Sequence, residues 1–140
     1  MIVVEASVAV KWFVPEAGSE EAEAVLVGDE PRAAPEHLAV EVGQALLRHW
    51  TGSGVTLEHC RLAMEQVPRF VQLFSTEALA VEALNVAADV GCSVYDGLYL
   101  AAAERWDATV VTADARLVAQ LSGTRAQARV RLLGSGPARN

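Results

Sequence analysis

Four acidic side chains stand where a fold could turn them into chemistry: Glu5, Glu41, Asp96 and Asp114. Glu5 follows directly on the β-branched run Ile2-Val3-Val4, and Asp114 comes two residues after the run Thr109-Val110-Val111-Thr112. Asp96 falls in the first turn of a predicted helix. Glu41 lies three residues after Leu38 and four before Ala45, on or beside an apolar helical stripe. Each acid also has an ordinary explanation. Asp114 can cap the helix that follows, Asp96 can offset a helix dipole, Glu5 can be a polar strand end, and Glu41 can reach water from the edge of its stripe. If the fold gathers them, however, their charges repel and raise one another's pKa values unless a cation sits among them. An oxygen-only donor set, with no histidine or cysteine at ligand spacing, selects Mg²⁺ or Mn²⁺ rather than zinc. Such an ion can polarise a phosphoryl oxygen, generate hydroxide from bound water or, as a pair roughly 4 Å apart, hold attacking and leaving oxygens. Phosphodiester hydrolysis is the chemistry this set of acids predicts.

The elements that must position these acids alternate along the chain. Ile2 to Val4 reads as a strand, Ala6-Ser7 as a turn, and Val8 to Val14 as a short helix stopped by Pro15. Glu20 to Val27 predicts an acidic, alanine-rich helix ending near Gly28, and Arg32-Ala33-Ala34 a short strand, extended because Pro35 follows. Leu38, Val42, Ala45 and Leu46 recur at helical spacing between Glu36 and Trp50, and Gly52 to Gly54 supply the break. A helix from Thr56 to Val67, a strand from Phe70 to Phe74, and a helix opened by Thr76 and ended by Gly91 follow. Tyr95 to Trp106 is helical in pattern, Thr109 to Thr112 a strand, Ala115 to Leu121 a helix, and Val130 to Leu133 a last strand. Near-continuously apolar strands alternating with helices predict a three-layer α/β/α sandwich with a central parallel sheet. Ligands of such sheets bind outside the carboxyl ends of the strands, where Glu5 and Asp114 fall.

Length and composition predict one domain over residues 1–133, with 134–140 as a flexible tail. No basic segment precedes the apolar start, and no run approaches the roughly 20 apolar residues of a membrane span, so a cytoplasmic protein is expected. Cys60 and Cys92 are far apart and read as reduced, mostly buried thiols. A net charge of −7 argues against binding nucleic acid by bulk electrostatics. No acidic residue follows Asp114, while Arg116, Arg125, Arg129, Arg131 and Arg139 do; this basic end suits phosphates, an acidic partner or a solvated surface. Trp12, Trp50 and Trp106 lie in helical apolar patterns that favour packing over base stacking. Tyr95 and Tyr99, four apart on one helix, suit either a dimer contact or the pocket. Neither the P-loop pattern nor the G-x-G-x-x-G fingerprint occurs. A phosphorelay receiver would need an acidic pair after the first strand and a lysine near the last, and the sole lysine is Lys11.

Met1-Ile2-Val3-Val4-Glu5-Ala6-Ser7-Val8, Pro35 with Glu41, Val94-Tyr95-Asp96-Gly97-Leu98-Tyr99 and Val111-Thr112-Ala113-Asp114 together resemble the PIN-domain family. Within it the likeness is to the VapC-type ribonuclease toxins of type II toxin-antitoxin systems. The resemblance runs over nearly the whole chain, with the four motifs in order. It implies that Glu5, Glu41, Asp96 and Asp114 bind Mg²⁺ or Mn²⁺ and activate water for RNA cleavage, with Ser7 and Thr112 as supporting hydroxyls. It also implies a homodimer and a cognate VapB-type antitoxin that occupies the site. Two positions depart from the family. Its first acid is normally aspartate, and the extra methylene of Glu5 moves the carboxylate by about 1 Å, a displacement that can cost about 100-fold in rate. The asparagine usual three residues after the helix acid is here Gln44. A catalytically weak or inactive PIN module that binds RNA or a protein partner is therefore the alternative expectation.

Overall fold

The computed structural model describes residues 1–136. Its five strands are β1 (Ile2–Val4), β2 (Arg32–Pro35), β3 (Gln72–Phe74), β4 (Thr109–Thr112) and β5 (Val130–Leu132), in the order β3-β2-β1-β4-β5 with every neighbouring pair parallel. The helices are α1 (Ala6–Ala9), α2 (Ser19–Val27), α3 (His37–Gly52), α4 (Leu57–Phe70), α5 (Ala80–Val90), α6 (Val94–Trp106) and α7 (Ala115–Leu121), and they complete the α/β/α sandwich. Parallel strands need covered faces, and β1 and most of β4 are buried accordingly. Val3, Val4, Val110 and Val111 are at most 1% exposed, and α6, which packs on β1, β2 and β4, is buried from Gly97 through Ala103.

The chain leaves central β1 for β2 and β3 on one side and later places β4 and β5 on the other. The carboxyl ends of β1 and β4, paired with Val4 opposite Val111, form the point where the winding reverses.

Helix ends follow local chemistry. Thr56 and Ser93 cap α4 and α6 with their hydroxyls, and Gly91 closes α5 at φ 80°, a left-handed conformation that costs glycine little. Two boundaries differ from expectation. The helix after β1 begins at Ala6 rather than Val8, because the Glu5 side chain caps it and turns Ala6-Ser7 into its first residues. The helix expected to stop at Val67 continues through Pro68 to Phe70, so β3 starts at Gln72 and not Phe70. Pro68 removes the donor that would meet the Met64 carbonyl one turn back, and the helix ends two residues later.

Trp12 donates its indole N–H to the Ala22 carbonyl at 2.8 Å and meets Phe13 and Phe70 edge-on, and Trp106 packs on Phe74. Trp50 is exposed. Cys60 is buried and Cys92 half-buried, and both are free thiols. Of the expected tail, Gly134–Gly136 are exposed and Ser135 hydrogen-bonds Leu132, while 137–140, including Arg139, lie outside the described residues. No single helix among the described residues is long and apolar enough to cross a membrane.

Candidate active site

β1 runs straight into α1, and Glu5 is the joint. Its backbone is extended at φ −90°, ψ 153°, and its Oε2 accepts the Ser7 backbone N–H at 3.1 Å. The same oxygen accepts the hydroxyl of Ser7 and, at 2.8 Å, that of Thr112. Each hydroxyl has one hydrogen, which goes to Glu5, and each then accepts a backbone N–H from the segment after β4. Ala113 donates to Ser7 Oγ at 2.8 Å, and Asp114 donates to Thr112 Oγ1 at 3.0 Å. The acid after β1 and the turn carrying Asp114 are thereby stapled together across the strand ends.

Glu41 sits on α3 and is held from α6. The Tyr99 phenol donates to its Oε1 at 2.7 Å, and His37, one helical turn earlier, brings Nε2 to 3.4 Å from the same oxygen. Burial first, then the charges of Glu41 and Glu5, push the Tyr99 pKa far up, so the phenol remains a donor. His37 Nε2 also lies 3.0 Å from the Tyr95 carbonyl, an atom that only accepts, so this nitrogen carries the proton. Its Nδ1 is then a bare acceptor, buried and without a partner among the described residues, and burial lowers the His37 pKa.

Asp96 enters in the first turn of α6, whose cap Ser93 accepts the Asp96 N–H at 3.0 Å. Asp114 is exposed and caps α7, its Oδ1 accepting from Arg116 N–H at 3.0 Å and Leu117 N–H at 3.3 Å. The capping role available to Asp114 from sequence is therefore present in the fold.

The electrostatics join the four acids in a row. Burial raises the Glu5 pKa against the pull of Ser7 and Thr112, and the Glu41 charge adds to it. Glu41 is raised by burial and by Asp96, against Tyr99, and Asp96 is raised by burial and by Asp114, against Ser93 and His37. Each carboxylate thus feels the next, and three are disfavoured as anions. Hard oxygen donors short of positive charge fit a divalent cation. Among the described residues, however, no three Asp, Glu, His or Cys side chains stand close enough to hold one ion together. Glu5 Oε2 and Asp114 Oδ1 face their own hydrogen bonds instead.

A cleft of about 490 Å³ opens beside this row, its lining including Glu5, Ser7, Lys11, Glu16, Glu41, Arg48 and His49. Asp96 and Asp114 stand outside its lining. Gln44, at the departing amide position, is exposed. Tyr99 faces the acids while Tyr95 is exposed, which divides the pair that spacing alone left open. Sequence reasoning missed His37, although its place four residues before Glu41 on one helix was readable. It also missed Glu16 and His49, which lie 33 residues apart and have no shared period. Two arginines of the basic end are paired with acids earlier in the chain, Arg125 with Asp89 and Glu104, and Arg129 with Asp107 at 2.7 Å.

The sequence matches the PIN domain family over residues 2–121. Two solved structures share the fold. A toxin-antitoxin complex from Klebsiella pneumoniae aligns at TM-score 0.65 and 14% identity over 94% of this chain and 96% of that one. The crystal structure of PAE2754 from Pyrobaculum aerophilum aligns at TM-score 0.66 and 22% identity over 88% of this chain and 81% of that one. No curated protein matches the sequence.

Proposed function

The chain belongs to the PIN domain family, and from that premise we propose that residues 1–133 form a cytoplasmic, Mg²⁺- or Mn²⁺-dependent endoribonuclease, the toxin of a VapBC-type pair. The observation that carries this reading is the row Glu5, Glu41, Asp96, Asp114 across the ends of β1 and β4, in which burial and mutual repulsion raise three of the four pKa values. A bound divalent ion supplies charge neutralisation, an activated water and polarisation of the phosphoryl oxygen.

The chain's own residues do the rest. Glu5, Glu41, Asp96 and Asp114 would hold the ion, Glu5 being positioned by Ser7 and Thr112. Tyr99 orients Glu41 by a hydrogen bond it cannot reverse at neutral pH, and His37 buttresses the same oxygen as a neutral ring. The substrate is RNA. The partners are a second copy of the chain and a VapB-type antitoxin, the latter supported by the toxin-antitoxin complex among the structures of like fold.

One observation favours a weaker or silent variant of this site. The longer Glu5 arm folds back so that Oε2 takes three donors from Ser7 and Thr112, leaving less of the carboxylate for an ion than an unbonded acid would offer. An RNA cleavage assay with Mn²⁺ decides. Wild type is expected to cut, Glu5→Asp to cut up to about 100-fold faster, and Asp96→Asn to lose at least about 100-fold. No cleavage by either wild type or Glu5→Asp would replace the nuclease with a PIN module that only binds RNA or protein.

A further inference from the structure

The cleft that holds Glu5 and Glu41 also carries a basic wall, Lys11 and Arg48, and the lysine is already held by an anion. Lys11, the sole lysine of the chain, keeps its side chain 11% exposed and places Nζ 2.8 Å from Glu16 Oε1. His49 Nε2 lies 2.9 Å from Glu16 Oε2, and its Nδ1 lies 3.0 Å from Ser53 Oγ. Arg48 lines the same cleft and takes part in no ion pair among the described residues. Burial alone would raise the Glu16 pKa, but its bonds to Lys11 and His49 outweigh burial and the net direction is down. Glu16 is thus an ionised carboxylate bridging nitrogen donors from two elements, Lys11 after α1 and His49 on α3, from the loop between Pro15 and α2.

We propose that this wall is the seat for an RNA backbone phosphate adjoining the scissile one, and that Glu16 occupies the seat until RNA displaces it. The inference rests on the nuclease reading for the identity of the polyanion. A phosphate offers two anionic oxygens to the same donors, and Lys11 and Arg48 then each neutralise part of the backbone charge. The need is local. A chain of charge −7 with acids at its centre attracts RNA only where cations stand beside those acids. Arg105 is committed to Glu82, Arg125 to Asp89 and Glu104, Arg129 to Asp107, and Arg32 to the carbonyls of Phe70, Val25 and Gly28, while Arg61, Arg69, Arg116 and Arg131 lie outside the lining of this cleft. Lys11 and Arg48 are the lysine and arginine that line the cleft with Glu5 and Glu41.

The test is binding of a fluorescent single-stranded RNA in EDTA, read by anisotropy across a salt series, so that neither metal nor cleavage enters. Lys11→Gln and Arg48→Gln are each expected to weaken binding for all sequences alike and to lower the log–log salt slope by about one. Glu16→Gln is expected to tighten binding several-fold, because the neutral amide no longer neutralises Lys11. Arg48 is exposed, so its variant reads the wall even if Lys11→Gln unfolds. Wild-type affinity and slope in Arg48→Gln and Lys11→Gln, or weaker binding by a folded Glu16→Gln, overturns the seat. So does loss of poly-glutamate binding in these variants with RNA binding intact, which assigns the wall to an acidic protein segment. Cleavage measured in parallel keeps the readings apart. A wild type that cuts RNA while the variants keep its salt slope sinks the seat alone, and a wild type that binds with the expected slopes but never cuts sinks the nuclease alone.

Discussion

At the scale of single residues, the carboxylate row sets function against stability. A carboxyl group whose folded pKa lies above its unfolded value contributes stability that is fully present below the unfolded pKa and is lost as pH rises through the folded one. Glu5, Glu41 and Asp96 are all of this kind, so without metal their ionisation destabilises the fold at neutral pH. Glu16 has the opposite sign: its pKa is lowered, and its contribution is present at neutral pH and lost as pH falls below the ordinary carboxylate range. Glu5→Gln keeps an oxygen for Ser7 and Thr112 while removing the charge. In EDTA at pH 7.5 its Tm is expected to exceed wild type by about 3 °C, the gap closing as pH falls through the raised Glu5 pKa. Added Mn²⁺ should then raise the wild-type Tm and leave Glu5→Gln unmoved. Differential scanning calorimetry at three pH values checks this, and a variant less stable than wild type at pH 7.5 would mean that Glu5 is stabilising as an anion.

At the scale of elements, the site depends on how closely α5 and α6 approach. Gly97, directly after Asp96, has no side chain because a Cβ there would lie 2.5 Å from the Ala83 carbonyl oxygen and 3.4 Å from the Ala87 Cβ. The obstacle is backbone of α5, which cannot step aside as a flexible side chain would. Gly97→Ala must therefore push the helices apart and carry Asp96 and Tyr99 with α6, despite the better helix propensity of alanine. The expected cost is about 1–3 kcal/mol in urea unfolding, with a larger loss of Mn²⁺-dependent cleavage than of RNA binding in EDTA. Equal stability of Gly97→Ala and wild type would show that the two helices have slack. The same approach explains why α6 is buried through Ala103 although its sequence shows no clean polar face.

At the scale of the molecule, several large apolar side chains remain exposed. On α3, Val40 is 73% exposed, with Leu47 and Trp50 also exposed, and on α5 Val81 and Leu84 are exposed. Apolar surface of this kind marks association. Under the proposed homodimer, sedimentation at micromolar concentration should give twice the monomer mass, and Val40→Glu with Val81→Glu should give monomers that keep the far-ultraviolet spectrum. Monomers in the wild type would leave these faces to the proposed antitoxin. The acidic balance of the chain acts at this scale too, since it makes RNA affinity a matter of where the few unpaired cations stand.

Much of the fold was legible in the order of residues, because local rules decide it. Apolar β-branched runs predict buried parallel strands, proline and glycine bound them, and helical spacing marks α3 and α6; all five strands appear, with β3 shortened at its start. The PIN family was readable for a related reason: its four motifs sit at strand ends and helix starts, which sequence can locate. What sequence alone left undecided is set by contacts between distant segments. That Glu5 turns back to cap α1, that Tyr99 and not Tyr95 holds Glu41, and that Glu16 bridges Lys11 and His49 follow from groups 2 to 58 positions apart meeting in space. Spacing along a chain says which face a residue occupies. Only packing says what that face meets, because a hydrogen bond requires partners within about 3 Å in three dimensions, and no periodicity encodes that distance.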